Sequence, residues 1–585
     1  MERRKDNSIL DNNITDVWKL YERGRDFLTQ LNLVYESTQN HRFYEGDHWH
    51  GLDSGGEKMP IIEIIKPVVD YKTTILTQNH LQALYSSQNY EASFEERQML
   101  EEVCDRLSSH FTRFWENNSL DNAMYDIVKE SLIVGDSYAY LYFKPSGKVR
   151  NGVDVDGEIV VEQVDNTNIM FADENEPDVQ KQRYILVLFR RQVKDVKAEA
   201  KQNGISQNDI DRITSDEDKD QVVGYSEEVD TKSKCLCIMK LWKETNDAGE
   251  TTVHCMKSTK NVIYQEDTDL TIASYPIVSY VWEQKKGLCR GVSDVHKYIP
   301  NQIWANKLEA YRLIVTKMTA FPKMVYSSRI VNPEDINSIG AALQVEDDQV
   351  NNAMQSIGYI HTAPMSNDAS VVLNELMTFT KDAAGASDIA TGREKSDNYS
   401  ALLAVQEAAA APLNRQTERL KKFYEDMARI LYDMWCNYYP NGLMIVDEDA
   451  DVPTANLIPQ EVLKNLKVQV RVDITPISPL NKLTEQQKAD NLLMQQIISF
   501  EEYVDILPDD EPMKPKLEKI MEDRHEQQMQ QAMMQQQIDM QAQALDEAAT
   551  DQINAQNEIA MRDAELSQAR EEAYMEAAIA NAASK

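Results

Sequence analysis

GVSDVHKYIPNQIWANKLEAYRLIVTKMTAFP, residues 291–322, reads as a helix with both ends written into it. Ser293 offers a hydroxyl to the free N–H groups of a first turn. Trp304, Leu308, Tyr311, Val315 and Met318 then recur at alternating steps of four and three, an apolar stripe down one side. Pro300 kinks the helix or marks the first turn of its main part. At Phe321-Pro322 the helix stops, because a residue before proline is pushed out of the α region.

Beyond a compact strand-bearing insert, Ser366 is a second cap. Val372, Leu376, Phe379 and Ala383 repeat the four-three-four spacing up to Gly385. The polar loop ASDIATGREKSDNY (386–399) follows, without apolar periodicity and with Arg393 and Lys395 beside Gly392. Ser400 starts a third helix, Ala-rich to Ala411, interrupted at Pro412, and resumed through Leu420, Phe423, Met427, Leu431 and Met434. Two antiparallel helices with a small domain at one end and a loop at the other suit a part repeated around an axis.

Working outward, Phe43-Tyr44-Glu45-Gly46-Asp47-His48-Trp49 precedes a helix containing Lys66-Pro67-Val68-Val69-Asp70, and Tyr275-Pro276-Ile277-Val278 precedes Gly291-Val292-Ser293-Asp294. With the helix order above, these motifs resemble the portal proteins of tailed bacteriophages, in order and up to about Lys519. The resemblance implies an α+β fold with long stem and crown helices, a strand-bearing wing and clip, and a helical C-terminal tail. Its parts would be a wing (1–290), first stem helix (291–319), clip (320–363), second stem helix (364–385), tunnel loop (386–399), long bent helix (400–440), crown (441–515) and helical barrel or tail (516–585).

The resemblance also implies a dodecameric ring at one capsid vertex of a virion, assembled in the host cytoplasm. Its partners would be double-stranded DNA passing non-specifically, the large terminase, the major capsid and scaffold proteins, and a neck or tail adaptor. DNA-facing candidates are Arg393, Lys395 and Asn398 in the loop, then Lys297, Lys307, Arg312 and Lys317 on the first stem helix, all contacting phosphates without reading bases. A solvated face or an intersubunit salt bridge is the competing reading of the four helix cations. Arg329, Glu334 and Asp335 are the docking candidates of the clip.

The whole chain is acidic. Its 585 residues carry a net charge of −36, which opposes tight DNA binding, since that gains affinity by neutralising phosphates with Lys and Arg. Acidity suits a channel through which DNA slides, and it also suits any soluble protein. The length accommodates three to four structural units. No apolar run approaches the ~18 residues of a membrane-spanning helix, MERRKDNSIL is not expected to act as a signal peptide, and no membrane partner is expected. Six scattered cysteines, Cys104, Cys235, Cys237, Cys255, Cys289 and Cys436, read as reduced thiols of a cytosolic chain.

Helices are expected at 8–40, 61–85 and 92–133, and strands at 137–143, 158–164, 184–189, 235–242, 252–256, 261–265 and 277–282. The stretch 201–232 is acidic and weakly patterned, an exposed loop or a partner-binding patch. KVQVRVDI (467–474) alternates as a half-buried strand. Thr484 with Gln487 and Ser499 with Glu502 open two more helices as capping boxes. From Lys516 the chain lacks Gly and Pro and is rich in Gln, Met, Ala and Glu, a helix that needs neighbours to be stable.

Chemistry-bearing motifs are weak. Gly51 to Lys58 departs from a phosphate-binding loop because Glu57 separates Gly56 from Lys58 and no apolar strand precedes it. Cys235, Cys237 and His254-Cys255 could be drawn as a metal site, but buried thiols explain them as well. His48-Trp49-His50 reads as an aromatic anchor with two surface imidazoles. Asp136, Asp154 and Asp156 are scattered and do not assemble the carboxylate cluster of a nuclease. The expectation is a structural protein with no catalytic residues, cofactor or metal. A scaffold or head-tail adaptor is the alternative, disfavoured by some seven strands.

Overall fold

The computed structural model describes residues 13–52, 58–78, 80–88, 94–145, 149–150, 153–154, 157–215, 233–246, 249–320, 323–326, 357–360, 368–386, 411–447, 454–475, 492–495, 499–500, 503–504 and 514–582. Helix and strand are mixed, in an α+β arrangement of two compact units, Met1–Ile477 and Ser478–Lys585.

The first unit begins with α1 (Ile14–Gln30), α2 (Leu33–Glu45) and α3 (Ile65–Thr77), followed by β1 (His80–Ser87), α4 (Phe94–Asn117) and α5 (Leu120–Val134). Next come β2 (Asp136–Pro145), the short β3 (Val149–Arg150) and β4 (Val153–Asp154), β5 (Gly157–Val164), β6 (Ile169–Phe171) and β7 (Tyr184–Gln192). After α6 (Val193–Gln202) and α7 (Gln207–Asp211) the chain forms β8 (Lys234–Thr245), β9 (Thr251–Ser258), β10 (Ile263–Asp269) and β11 (Ile277–Val281). The 26-residue α8 (Val295–Ala320) leads to β12 (Lys323–Tyr326) and β13 (Ile357–Ile360), then α9 (Asp368–Ala383) and α10 (Asn414–Tyr438). β14 (Leu443–Asp447), β15 (Thr454–Ile458), α11 (Gln460–Asn465) and β16 (Val468–Thr475) close the unit.

The largest sheet has the order β10-β9-β8-β7-β6, and a smaller one the order β11-β2-β5, all antiparallel. Along β7 alternate side chains enter different cores: Leu186 and Leu188 meet Val17, Tyr21 and Leu28 of α1, while Ile185 and Val187 join the central cluster. Period-two geometry with both faces covered explains why Tyr184 to Phe189 is apolar without alternation. The central cluster gathers α4, α5, β2, β11 and the inner side of α10, where Leu420, Phe423, Met427, Leu431 and Met434 are all buried. Each such side chain contributes about 1.5–3 kcal/mol of burial.

Three helical expectations need correction. The 8–40 helix is two helices, broken at Asn32, which takes a left-handed φ of 54°. The 92–133 helix is likewise broken at Ser119, with φ 50°. The 61–85 helix ends at Thr77, and β1 pairs antiparallel with β16 from His80↔Thr475 to Ser87↔Val468. Ala83 and Tyr85 alternate into the core there, and the Tyr85 hydroxyl donates to Ala428 O at 3.0 Å. A partner nearly four hundred residues away overrides the local helical pattern.

Between α2 and α5, His41 Nε2 lies 2.8 Å from Glu130 Oε1. Burial alone would lower the His41 pKa, but the Glu130 hydrogen bond and the charges of Glu130, Glu45 and Asp165 raise it overall. A raised folded pKa means the imidazolium's stabilisation is complete below the unfolded value of 6.5 and is lost as pH rises through the folded value. Wild-type chain is therefore expected to unfold at a higher temperature than His41→Gln by a margin that is largest at pH 5.5 and shrinks by pH 8.5. An unchanging margin would contradict this.

The second unit is dominated by α12 (Lys514–Ala582), 69 residues long, about 100 Å at 1.5 Å per residue. Within that unit Ile553, Ile559, Leu566, Tyr574 and Ile579 are exposed. The 484–487 capping box lies outside the described residues. Among the described residues no helix is long and apolar enough to cross a membrane.

Candidate functional site

The motifs that resemble portal proteins are separated by hundreds of residues in sequence, yet they meet at the base of α8. The chain reaches α8 through Cys289-Arg290-Gly291-Val292-Ser293-Asp294. Ser293 acts as the expected cap: its Oγ accepts from His296 N at 3.1 Å and donates to Ile133 O at 2.5 Å. Asp294 Oδ2 is 2.6 Å from Lys72 Nζ on α3, a pair with both side chains buried. Gly291 passes so close to Gly135 that a Cβ at position 291 would sit 1.9 Å from Gly135 O, and Gly135 itself holds a φ of +113°. Only glycine permits that crossing.

Beside it Arg290 is 1 % exposed. Its guanidinium donates from Nε and Nη2 to the two oxygens of Glu174, each at 3.0 Å, and caps Ile169 O at 2.7 Å and Asn166 O at 2.9 Å. Asp136 lies 3.5 Å away and accepts from the Tyr138 hydroxyl at 2.5 Å. Burial raises the Asp136 carboxyl above its ordinary value, with Arg290, Tyr138 and Asn166 pulling back against it. Every polar arm of the arginine is used, which is what a buried cation requires.

Along α8 the inward face is Val295, Ile299, Gln302, Ala305, Asn306 and Ala310. Gln302 accepts from Ile64 N at 2.9 Å and also bonds Ile62 O; Asn306 accepts from Ile62 N at 3.0 Å and donates to His48 Nδ1 at 2.9 Å. His48 Nε2 in turn bonds Phe43 O at 2.9 Å, and Trp49 Nε1 donates to Pro60 O. His48 is thus a linker from the Phe43–Trp49 motif to α8, correcting the surface-imidazole expectation, while His50 is exposed. Tyr44 donates to Asp70 Oδ1 at 2.8 Å under the Lys66 ammonium, joining the same motif to α3.

α9 lies antiparallel to α8. Asn301 donates to Thr380 Oγ1 at 3.0 Å, Ala305 and Leu373 share a small core with Ile64, and Tyr298 packs on Ala384 and Ala386. β12 and β13 pair at the far end of the two helices. α10 crosses β11, with Arg419 donating to Val281 O at 3.0 Å and Trp282 O at 2.6 Å.

A family model described as Phage P22-like portal protein matches residues 19–569. The chain belongs to that family. No curated protein matches it.

In this portal-family chain three members of the apolar stripe of α8 are exposed, while Leu308 packs on the small Ile64 core and Val315 is half-buried. Trp304 is 57 % exposed and Tyr311 52 %, with Leu313, Ile314 and Met318 also exposed; on α9, Val372 and Phe379 are exposed in the same way. Small and amide side chains are buried instead, because they let Ile62 and Ile64 backbone reach the helix. The four α8 cations differ. Lys297 pairs with Glu283 at 2.6 Å, Arg312 pairs with Glu309 at 2.8 Å, Lys307 lies over the Trp304 ring, and Lys317 is exposed.

Arg393, Lys395 and Asn398, and Arg329, Glu334 and Asp335, lie outside the described residues. Arg290, Glu174, Gln302 and Asn306 were not singled out from sequence, and Asp136 was read there only as a scattered carboxylate. Gln302 and Asn306, four apart beside an apolar stripe, carried a usable signal; Arg290 carried none. Cys235 and Cys237 belong to a core with Val196 and Tyr264, as ordinary buried thiols.

Proposed function

We propose that this chain assembles into a closed ring of about twelve copies at one capsid vertex, the channel through which the viral genome is packaged and ejected. α8 and α9 are the stem, β12–β13 the root of the clip, α10 the long helix, β14–β16 part of the crown, and α12 a barrel or tail helix. One observation carries the reading: among the described residues, Trp304, Tyr311, Leu313, Ile314 and Met318 of α8 and Val371, Val372 and Phe379 of α9 present exposed aromatic and aliphatic side chains. A ring generated by one rotation needs head-to-tail faces of this kind, and exposed apolar surface of this extent marks an association site.

The task is mechanical, with no catalysis in this chain. Nucleotide hydrolysis falls to the large terminase, which docks first at the clip, through Arg329, Glu334 and Asp335, where the neck or tail adaptor docks later. DNA passes without base readout, touching Arg393, Lys395 and Asn398 first and then the stem cations Lys297, Lys307, Arg312 and Lys317, while the overall charge of −36 keeps it from sticking. Native mass spectrometry and negative-stain top views of the purified chain test the reading. A ring of about twelve subunits with a central hole is expected; a stable monomer or dimer at high concentration overturns it in favour of a scaffold or adaptor.

A further inference from the structure

α8 and α9 each carry a stripe on the side turned away from their mutual contact. On α8 it runs Trp304, Lys307, Tyr311, Ile314, Met318, aromatic and aliphatic with a single cation. On α9 it runs Asp368, Val372, Glu375, Phe379, Asp382, where acids and apolar side chains alternate at steps of four and three. All of these residues are exposed except Lys307, which is half-buried. Within one chain the two stripes do not meet. The helices come together around Ala305, Leu373 and the Asn301–Thr380 hydrogen bond. Lys307 stands two positions past Ala305 and Glu375 two past Leu373, each about 200° round its helix. Among the described residues Glu375 has no ion partner, and Lys307 has only the Trp304 ring.

We propose that the α9 stripe of one copy seats on the α8 stripe of the next, with Glu375 paired to Lys307, Phe379 against Trp304 and Val372 against Tyr311. The occupant of this face is a second copy of the chain, and the assignment rests on the ring proposed above. Charge selects the pairing of unlike faces. Two α9 stripes brought together by a two-fold axis would set acids against acids, whereas the α8 stripe offers a cation and no carboxylate. The register follows from symmetry. Rotation about an axis along the stem moves a copy round without raising or lowering it, so levels within one chain hold between neighbours. Asn301 is level with Thr380. The helices run antiparallel, so Lys307, at 307 − 301 = 6 residues up α8, is level with Glu375, at 380 − 375 = 5 residues back along α9, to within about 1.5 Å. Trp304 with Phe379 and Tyr311 with Val372 each agree to within two residues by the same count. Of the four stem cations, Lys307 thereby takes the intersubunit role that competes with DNA contact, and Lys297, Arg312 and Lys317 are left to the channel.

Full-length chain carrying Lys307→Cys and Glu375→Cys, treated with a short bismaleimide and run on a denaturing gel, tests the pairing. A series of linked chains rising to about twelve is expected, while each single-cysteine chain stays at the monomer position. The six native cysteines are buried and should add no links. Charge reversal is the second readout. Lys307→Glu and Glu375→Lys should each raise the protein concentration needed for the ring, followed by native mass spectrometry, by about tenfold or more. The double exchange Lys307→Glu/Glu375→Lys should return it toward the wild-type value. A wild-type ring whose double-cysteine form gives no linked chains, or reversals that the double exchange does not rescue, overturns the pairing and leaves the ring standing. A wild type that forms no ring overturns the ring itself, and this pairing with it.

Discussion

Glutamate at both Trp304 and Tyr311 is expected to abolish the ring while leaving each copy folded. Both rings are more than half exposed on α8, and neither belongs to the cores that hold α8 to α3 and α9. Replacing them therefore removes little that a single chain uses beyond the Lys307–Trp304 contact. In the proposed assembly they are the large aromatic anchors of a head-to-tail face, the kind of residue whose truncation costs about 2 kcal/mol or more. A buried carboxylate without a partner adds to that loss. The defect is repeated at every junction of the ring, so closure fails as a whole. Native mass spectrometry should show monomer where the wild type shows the closed ring, with an unchanged circular dichroism spectrum at room temperature. A Trp304→Glu/Tyr311→Glu chain that still closes would place the interface elsewhere.

Arg290→Met should destabilise the first unit by about 3–5 kcal/mol, because Asp136 and Glu174 are then left buried without their cation. The loss is larger than the simple deletion of a contact. Two carbonyls, Ile169 O and Asn166 O, lose their donor at the same time. Arg290→Lys should fall between, keeping charge but not the fork that reaches Glu174 with two nitrogens. Adding Glu174→Gln and Asp136→Asn to Arg290→Met should recover part of the stability, since the unpaired charges go with the arginine. Urea unfolding followed by tryptophan fluorescence measures the series. An Arg290→Met midpoint equal to wild type would show that the network contributes nothing.

Much of the first unit was legible from local pattern. Ser293 and the Phe321-Pro322 stop mark where α8 starts and ends to within a few residues, and the five apolar positions of α10 all prove buried. Such signals are short-range, so a sequence displays them. What stayed hidden depends on distant partners. Residues 80–85 were read as the end of a helix, because β16, which supplies their edge, lies at the other end of the unit. The spacing of the α8 stripe was legible, but not its surroundings, since periodicity says which residues share a face and not what that face meets. Arg290 shows the limit most plainly: one arginine among many, it is distinguished only by carboxylates contributed at positions 136 and 174. The cations proposed at 393 and 395 rest on sequence alone.

The β1–β16 ladder sets the order in which the chain can mature. Ser87 meets Val468, so 468 − 87 = 381 residues separate even the closest ends of the two strands. At roughly 5–20 residues per second, a ribosome needs about 20–75 s to deliver the second strand after the first. Throughout that interval the His80–Ser87 edge and the Tyr85 side of the core lack their cover, an open template for the wrong partner. Newly made chains are therefore most vulnerable on the polysome, before any ring can form. A nonsense mutation between Ser87 and Val468 is expected to yield an aggregating fragment rather than a shortened but usable subunit.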